Sequence, residues 1–193
     1  MRTGIFGGSF DPPHKGHINM AIAAKNELSL DKVIIVPTGQ APHKPDISAS
    51  AQDREQMCRA ICEKYEFELS QYEVKKEGKC YTADLLEHFA SLYPDDEFFL
   101  IVGADSMDYM DKWYKPEEIF SRCTVVVARR SGTSDQKAEL LRKNFGAKID
   151  FLNCECFDVS STEIRNAILS GDNISRLVDD ETAEYIRRNN LYR

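Results

Sequence analysis

Two histidines three positions apart, His14 and His17, follow a glycine pair and a Pro12–Pro13 turn near the beginning of the sequence. This spacing places both imidazoles on one face of a first helical turn. The free N–H groups and the dipole of a helix N-terminus favour anions, and imidazoles add donors that become cationic beside phosphate. The segment 7–17 therefore predicts a polyphosphate-binding turn. The alternative is that the two histidines only cap and pack the helix.

Other phosphate and metal motifs do not account for this segment. Gly7 and Gly8 allow a tight turn and let a ligand approach main-chain N–H groups. Their spacing does not match the dinucleotide-binding pattern GxGxxG, and GxxxxGK[ST] does not occur in the sequence. A metal site is disfavoured because the histidine pair has no third nearby ligand and a helix N-terminus repels cations.

Composition limits the class of partner. The 193 residues carry 25 Lys and Arg against 32 Asp and Glu, a formal net charge of −7. Nucleic acid polymers are bound through many basic contacts, so they are not expected as partners, whereas a small anionic ligand needs only a local cluster of donors. The scattered cysteines predict a reducing cytoplasm, and the pair Cys154 and Cys156 lacks the further ligands of a zinc site. With no export leader or membrane-spanning run in the sequence, no membrane partner is expected.

Short apolar runs alternate with segments of helical periodicity, which is typical of a parallel sheet covered by helices on both faces. The pattern predicts an α/β fold, a Rossmann-like doubly wound parallel sheet with C-terminal helices, formed as one domain over residues 1–193. Two helices are expected within 161–193. The predicted strands are 3–6, 33–36, 66–69, 98–102, 124–128 and 149–152.

Two long segments, 37–50 and 71–80, follow the second and third predicted strands and are predicted to be loops. Ligands of open α/β sheets bind beyond the carboxyl ends of the strands, where the strand order reverses. Both segments are therefore candidate substrate loops.

The string GGSFDPPHKGH resembles the signature of the HxGH nucleotidyltransferase superfamily, and SSTEIR, which begins at Ser160, is similar to the superfamily's SSTxIR motif. The second motif also fits an ordinary capping box. The resemblance implies nucleotidyl transfer without a covalent intermediate, with His14, His17 and Arg165 as catalytic residues. The implied ATP-binding set is Gly7, Gly8, Ser9, Phe10, His14, His17, Gly103, Asp105, Arg129, Ser160, Ser161, Thr162 and Arg165.

Further matches resemble the bacterial nicotinate mononucleotide adenylyltransferases: Pro42-His43-Lys44, Tyr81-Thr82, Gly103-Ala104-Asp105 and Lys112-Trp113-Tyr114. This resemblance implies ATP and nicotinate mononucleotide as substrates, with Mg²⁺ arriving on ATP rather than in a protein metal site. The implied acceptor-binding residues are Lys44, Thr82, Trp113 and Tyr114. Cys80 and Leu85 stand where relatives often carry hydroxyls, which leaves the role of those hydroxyls open here.

Several alternatives share the motifs or the fold. The acceptor could be nicotinamide mononucleotide or phosphopantetheine, the nucleotide could be CTP, or the chain could be a catalytically silent nucleotide sensor. A single tryptophan more commonly packs in the core. It is the resemblance that implies stacking of Trp113 on a pyridine ring and hydrogen bonding of Thr82 to a carboxylate on that ring. The sequence leaves open whether the protein forms a homo-oligomer.

Overall fold

The computed structural model describes residues 1–40, 47–129, 135–153 and 159–193. Its centre is a parallel sheet in the order β3-β2-β1-β4-β5-β6. A strand is present at each of the six predicted positions, and the predicted fold class is confirmed. The strands are β1 (Arg2–Gly8), β2 (Lys32–Pro37), β3 (Glu68–Leu69), β4 (Glu97–Gly103), β5 (Cys123–Ala128) and β6 (Lys148–Leu152).

Helices cover both faces of this sheet. In chain order they are α1 (Lys15–Glu27), α2 (Ala51–Tyr65), α3 (Tyr72–Lys75), α4 (Thr82–Leu92), α5 (Ala104–Met107), α6 (Pro116–Arg122), α7 (Asp135–Phe145), α8 (Ser161–Ser170) and α9 (Asp180–Arg188), with a 3₁₀ turn at Met110–Lys112. The two helices expected within 161–193 are thus confirmed as α8 and α9. None of the helices in the described ranges is long and apolar enough to cross a bilayer.

The sheet separates two apolar clusters because successive side chains of a strand point to opposite faces. Ile5 of β1 packs in one cluster with Leu86 and Val125, and Phe6, the next residue, packs in the other with Ile18 and Ile35. Every residue of β5 is buried. Burial on both faces explains why the strands appear in the sequence as continuous apolar runs rather than alternating ones.

Two local predictions were wrong. The third strand begins at Glu68 rather than at residue 66, because Glu66 ends α2 in the left-handed region with φ 56° and its N–H bonds to the Cys62 carbonyl. The segment 71–80 is not a loop throughout, since it contains the helical turn α3. Gly39 makes this packing possible: a Cβ there would lie 2.1 Å from the Glu73 carbonyl oxygen.

The strand order reverses between β1 and β4, because β1 is hydrogen-bonded to β2 on one side and to β4 on the other. A crevice opens at such a reversal, beyond the carboxyl ends of the strands. Gly8 ends β1 and Gly103 ends β4, so the segments leading into α1 and α5 both begin at this edge.

Candidate active site

Helix α1 presents the histidine pair. His14 is its N-cap, in extended conformation, and is only 6% exposed. As the spacing predicts, the imidazoles of His14 and His17 lie together, stacked with ring centroids 3.6 Å apart. Phe10, itself 2% exposed, meets the His17 ring edge-on at 4.9 Å. The histidine rings are therefore held by aromatic packing.

A backbone hydrogen bond sets the tautomer of His17. The N–H of His14 donates to Nδ1 of His17 at 3.3 Å. An imidazole nitrogen that accepts a hydrogen bond carries no proton, so the neutral ring has its proton on Nε2. His17 therefore offers an N–H donor at Nε2, which is suited to a phosphate oxygen.

Asp11 anchors the turn that precedes α1. Its carboxylate is buried, with 3% of the residue exposed. It accepts hydrogen bonds from the Ser48 N–H at 2.8 Å, the Ala49 N–H at 3.0 Å and the Tyr192 hydroxyl at 2.9 Å. Asp11 thus joins the histidine turn to the segment before α2 and to the segment after α9.

Helix α8 lies directly against this turn. The Ser161 hydroxyl donates to the Pro12 carbonyl at 2.9 Å, and Nη1 of Arg165 donates to the Asp11 carbonyl at 2.8 Å. Arg165 also reaches the Thr162 hydroxyl at 3.3 Å. The two motifs, far apart in sequence, are therefore in contact through the Pro12 and Asp11 carbonyls.

Ser160 forms the capping box that the SSTE pattern also allowed. Its hydroxyl accepts a hydrogen bond from the Glu163 N–H at 3.2 Å, and its own N–H donates to the Glu163 carboxylate at 2.7 Å. In this structure Ser160 thus fixes the start of α8. Its contact with ATP remains a prediction.

Arg54 is a site residue that the sequence patterns missed. Its side chain is 1% exposed, and it donates to the carbonyls of Ser9 at 2.6 Å, Gly39 at 3.3 Å and Ala49 at 3.4 Å. Burial lowers the pKa of Arg54, and the nearby Asp11 carboxylate opposes that shift. The available signal was its place one turn before Met57 on the apolar face of a helix, where arginine is rare.

The remaining residues of the predicted ATP set lie at the carboxyl edge of the sheet. Gly103 caps α5, Asp105 is exposed in the first turn of that helix, and Arg129 follows β5. The Arg129 guanidinium lies 3.9 Å from the centre of the Phe151 ring and forms an ion pair with Asp135 at 2.9 Å.

The predicted acceptor residues lie around the start of α4. Thr82 is the first residue of that helix and Tyr81 is its N-cap. The ring of Tyr81 lies 4.6 Å from that of Tyr114, which is 46% exposed. Trp113 is partly buried and packs against the core cluster. The geometry adds Tyr81 to the candidate residues.

Lys44 and its neighbour His43 lie outside the described residues. Leu85 is 2% exposed within the core, and Cys80 is 5% exposed with its thiol against the Glu73 carbonyl. Both departures from the family pattern are therefore accommodated as apolar packing.

In the four described ranges, no group of three or more His, Cys, Asp or Glu side chains is arranged to hold a metal ion. The pair Cys154 and Cys156 lies outside those ranges.

The chain matches the cytidylyltransferase-like family model over residues 5–167. A Clostridium novyi protein named "probable nicotinate-nucleotide adenylyltransferase" is 40% identical, over all of this chain and 99% of its own. A Chlorobaculum parvum protein of the same name is 41% identical over the full length of both chains. The chain belongs to the nicotinate-nucleotide adenylyltransferase family. The family resemblance stated from the motifs is thereby confirmed.

Two solved structures share the fold of this family member. The Plasmodium falciparum nicotinic acid mononucleotide adenylyltransferase complexed with NaAD superposes with a TM-score of 0.82, covering 99% of this chain and 97% of that one at 21% identity. The same enzyme complexed with APC gives a TM-score of 0.80 at 20% identity. At this level of identity the similarity establishes the fold.

Glu73 of α3 connects this helical turn to the segment after β2. It is 5% exposed and receives a hydrogen bond from Thr38, at the end of β2. Burial raises the pKa of Glu73 to about 7, against the lowering effects of Thr38 and Lys76. The charges of Arg54 and Asp84 also act on this carboxyl group.

The raised pKa predicts a pH-dependent stability. Protonated Glu73 contributes its full stabilisation below pH 4.5, which is the ordinary pKa of this side chain. The contribution is lost as the pH rises through about 7, the pKa of Glu73 in the folded protein. Relative to Glu73→Gln, the wild type should lose up to about 3 kcal/mol of unfolding free energy across that interval. Urea denaturation at pH 5, 6, 7 and 8 measures the difference. Glu77→Gln, exposed in the same segment, controls for the lost charge. Parallel profiles for wild type and Glu73→Gln would contradict the prediction.

Proposed function

We propose that this chain transfers the adenylyl group of ATP to nicotinate mononucleotide, releasing pyrophosphate and forming nicotinate adenine dinucleotide. The observation that carries the proposal is the contact of α8 with the histidine turn, through Ser161 on Pro12 at 2.9 Å and Arg165 on Asp11 at 2.8 Å. This contact gathers donors for a chain of phosphates at one strand edge. The names of the full-length relatives support the choice of acceptor.

The reaction is an in-line displacement. A phosphate oxygen of the mononucleotide attacks the α-phosphorus of ATP, and the bond from that phosphorus to the oxygen bridging to the β-phosphate breaks. A phosphate dianion is already a nucleophile at neutral pH, so no group has to remove a proton. Catalysis then consists of alignment and stabilisation of charge on the phosphoryl oxygens.

Different hydrogen-bond donors of the site serve different phosphates of ATP. His17, with its proton on Nε2, donates to the α-phosphate, and His14 serves the bridging and β/γ region. Ser161, Thr162 and Arg165 take the departing pyrophosphate. Arg165 keeps one side on the Asp11 carbonyl, which orients the guanidinium while further N–H groups remain for phosphate.

Mg²⁺ accompanies ATP in this proposal. The donor set of the site is mostly imidazole, hydroxyl and guanidinium groups, which fit phosphate oxygens rather than a cation. The ion is therefore held mainly by phosphate oxygens and water, the ligands it prefers, and neutralises their charge. Asp105, at the start of α5, serves the ribose hydroxyls.

The acceptor ring lies by Trp113, flanked by the tyrosine pair Tyr81 and Tyr114. Its carboxylate faces the start of α4, where the Thr82 hydroxyl and the free N–H groups of an 11-residue helix favour an anion. Nicotinamide lacks that charge. This arrangement supports preference for the acid form.

Removing the indole tests the acceptor site. Trp113→Ala should raise the KM for nicotinate mononucleotide by roughly 10- to 100-fold, because base–aromatic stacking contributes about 1–3 kcal/mol. The KM for ATP should change little, and Trp113→Phe should retain most of the affinity. Steady-state kinetics with each substrate varied measure both constants. An equal rise in both KM values would contradict the assignment.

Product analysis tests the function itself. The protein is incubated with Mg²⁺, ATP or CTP, and one of three acceptors: nicotinate mononucleotide, nicotinamide mononucleotide or phosphopantetheine. Mass spectrometry should find nicotinate adenine dinucleotide and pyrophosphate as the dominant products. A faster reaction with the amide, with phosphopantetheine or with CTP would overturn the proposal, as would the absence of transfer.

The cellular compartment and the single-domain organisation are also part of this proposal. Cys58, Cys62, Cys80 and Cys123 are buried free thiols. Burial raises the pKa of Cys62 and of Cys123 to about 12, so these thiols are poor nucleophiles. Free thiols support a reducing cytoplasm as the compartment, and in this proposal residues 1–193 act there as one nucleotidyltransferase domain.

A further inference from the structure

The segment after α9 reaches back to the histidine turn. The Tyr192 hydroxyl donates to Oδ1 of Asp11 at 2.9 Å. Tyr192 lies in the left-handed backbone region with φ 63°, which non-glycine residues rarely adopt. Surrounding contacts must hold the backbone in that conformation.

Helix α9 is firmly docked before this segment begins. Nζ of Lys64 lies 2.6 Å from the Asp179 carboxylate at the start of α9, and the Tyr65 hydroxyl donates to the same carboxylate at 2.7 Å. The Leu191 N–H then bonds to the Ile186 carbonyl at 3.1 Å. Because α9 is docked on α2, the position of Tyr192 just after α9 is fixed.

The position of Asp11 in turn determines the position of the imidazoles. Only Pro12 and Pro13 separate Asp11 from His14, and proline fixes φ at about −65°, so this connection is stiff. Arg165 donates to the Asp11 carbonyl at 2.8 Å and lies 3.7 Å from its carboxylate. A shift at Asp11 therefore moves the histidine pair and the guanidinium together.

We propose that Tyr192 is a positioning residue for the transfer reaction, acting through Asp11 on His14, His17 and Arg165. The role assigned to it is exerted through its hydrogen bond to Asp11. Its hydroxyl completes the set of donors that hold the buried Asp11 carboxylate in place. The proposal rests on the proposed function for its kinetic consequence, but not for its structural one.

Tyr192→Phe removes one oxygen and keeps the ring. It should lower kcat by about 10- to 100-fold, because small misplacements of catalytic groups cost this much, and leave the KM for ATP within about twofold. Tyr185→Phe is the matched control, since it also removes a tyrosine hydroxyl from an aspartate in the α9 region, but at Asp53. Its kcat should stay within about twofold of wild type at a temperature where urea denaturation shows all three proteins folded.

Histidine ring ¹⁵N spectra of the ligand-free proteins provide a second measurement. The signals of His14 and His17 should shift in Tyr192→Phe and not in Tyr185→Phe, with His88, stacked on Tyr72, as internal reference. Unchanged signals in Tyr192→Phe, or equal losses of kcat in both variants, would overturn the proposal. If wild type transfers nothing to nicotinate mononucleotide, the proposed function fails, while the ring spectra still decide the positioning.

Discussion

His17→Ala is expected to lower kcat by about 10³-fold, at the upper end of what loss of one transition-state donor costs. The Nε2–H of His17 stabilises charge that grows on the α-phosphate during transfer, so the contact matters most in the transition state. The Kd for ATP should therefore change by less than about threefold. Rapid-quench kinetics and titration with ATP measure the two quantities.

Two further substitutions distinguish the role of Nδ1 of His17 from that of Nε2. His17→Asn keeps an acceptor near the Nδ1 position, where the His14 N–H donates at 3.3 Å, but has no donor at Nε2 and should resemble alanine. His17→Gln places an amide N–H near Nε2 and should recover part of the rate. His88→Ala, outside the site, should leave kcat unchanged. Full activity in His17→Asn would refute the role assigned to Nε2.

Arg54→Met is expected to lower the free energy of unfolding by about 3–5 kcal/mol, a larger loss than is expected for the other substitutions described here. The substitution leaves three carbonyls without their donor and removes a positive charge near the buried Asp11. Methionine occupies part of the volume, so the loss reports mainly polar groups left unsatisfied. Urea denaturation at pH 7 measures it.

Arg59→Met provides the comparison on the same helix. Arg59 forms an ion pair with Glu55 at 2.6 Å, but its side chain is 42% exposed. Arg59 remains in contact with water, and Glu55 keeps its hydrogen bond from Gln71 at 2.6 Å when Arg59 is replaced, so the loss should be smaller, about 1 kcal/mol. Equal losses from the two arginines would mean that burial of Arg54 is not what makes it important.

Local sequence was sufficient to predict the sheet, because buried parallel strands need continuous apolar runs and the helices between them need a regular apolar face. It was insufficient where packing overrides local preference. Glu66 gave no sign of a left-handed helix end, and α3 is only one turn long, held where Gly39 lets the backbone approach.

The histidine turn is the part of the site that sequence alone determined, since Pro12, Pro13 and the three-residue spacing of the imidazoles act within one turn of chain. The motif resemblance indicated that Ser161 and Arg165 belong to the same chemistry. Only the tertiary structure decided how these parts are held. Asp11 meets Ser48, Ala49 and Tyr192, and Arg54 meets three separate carbonyls, through contacts between distant segments. Such contacts depend on how helices dock on the sheet, and no local periodicity records them.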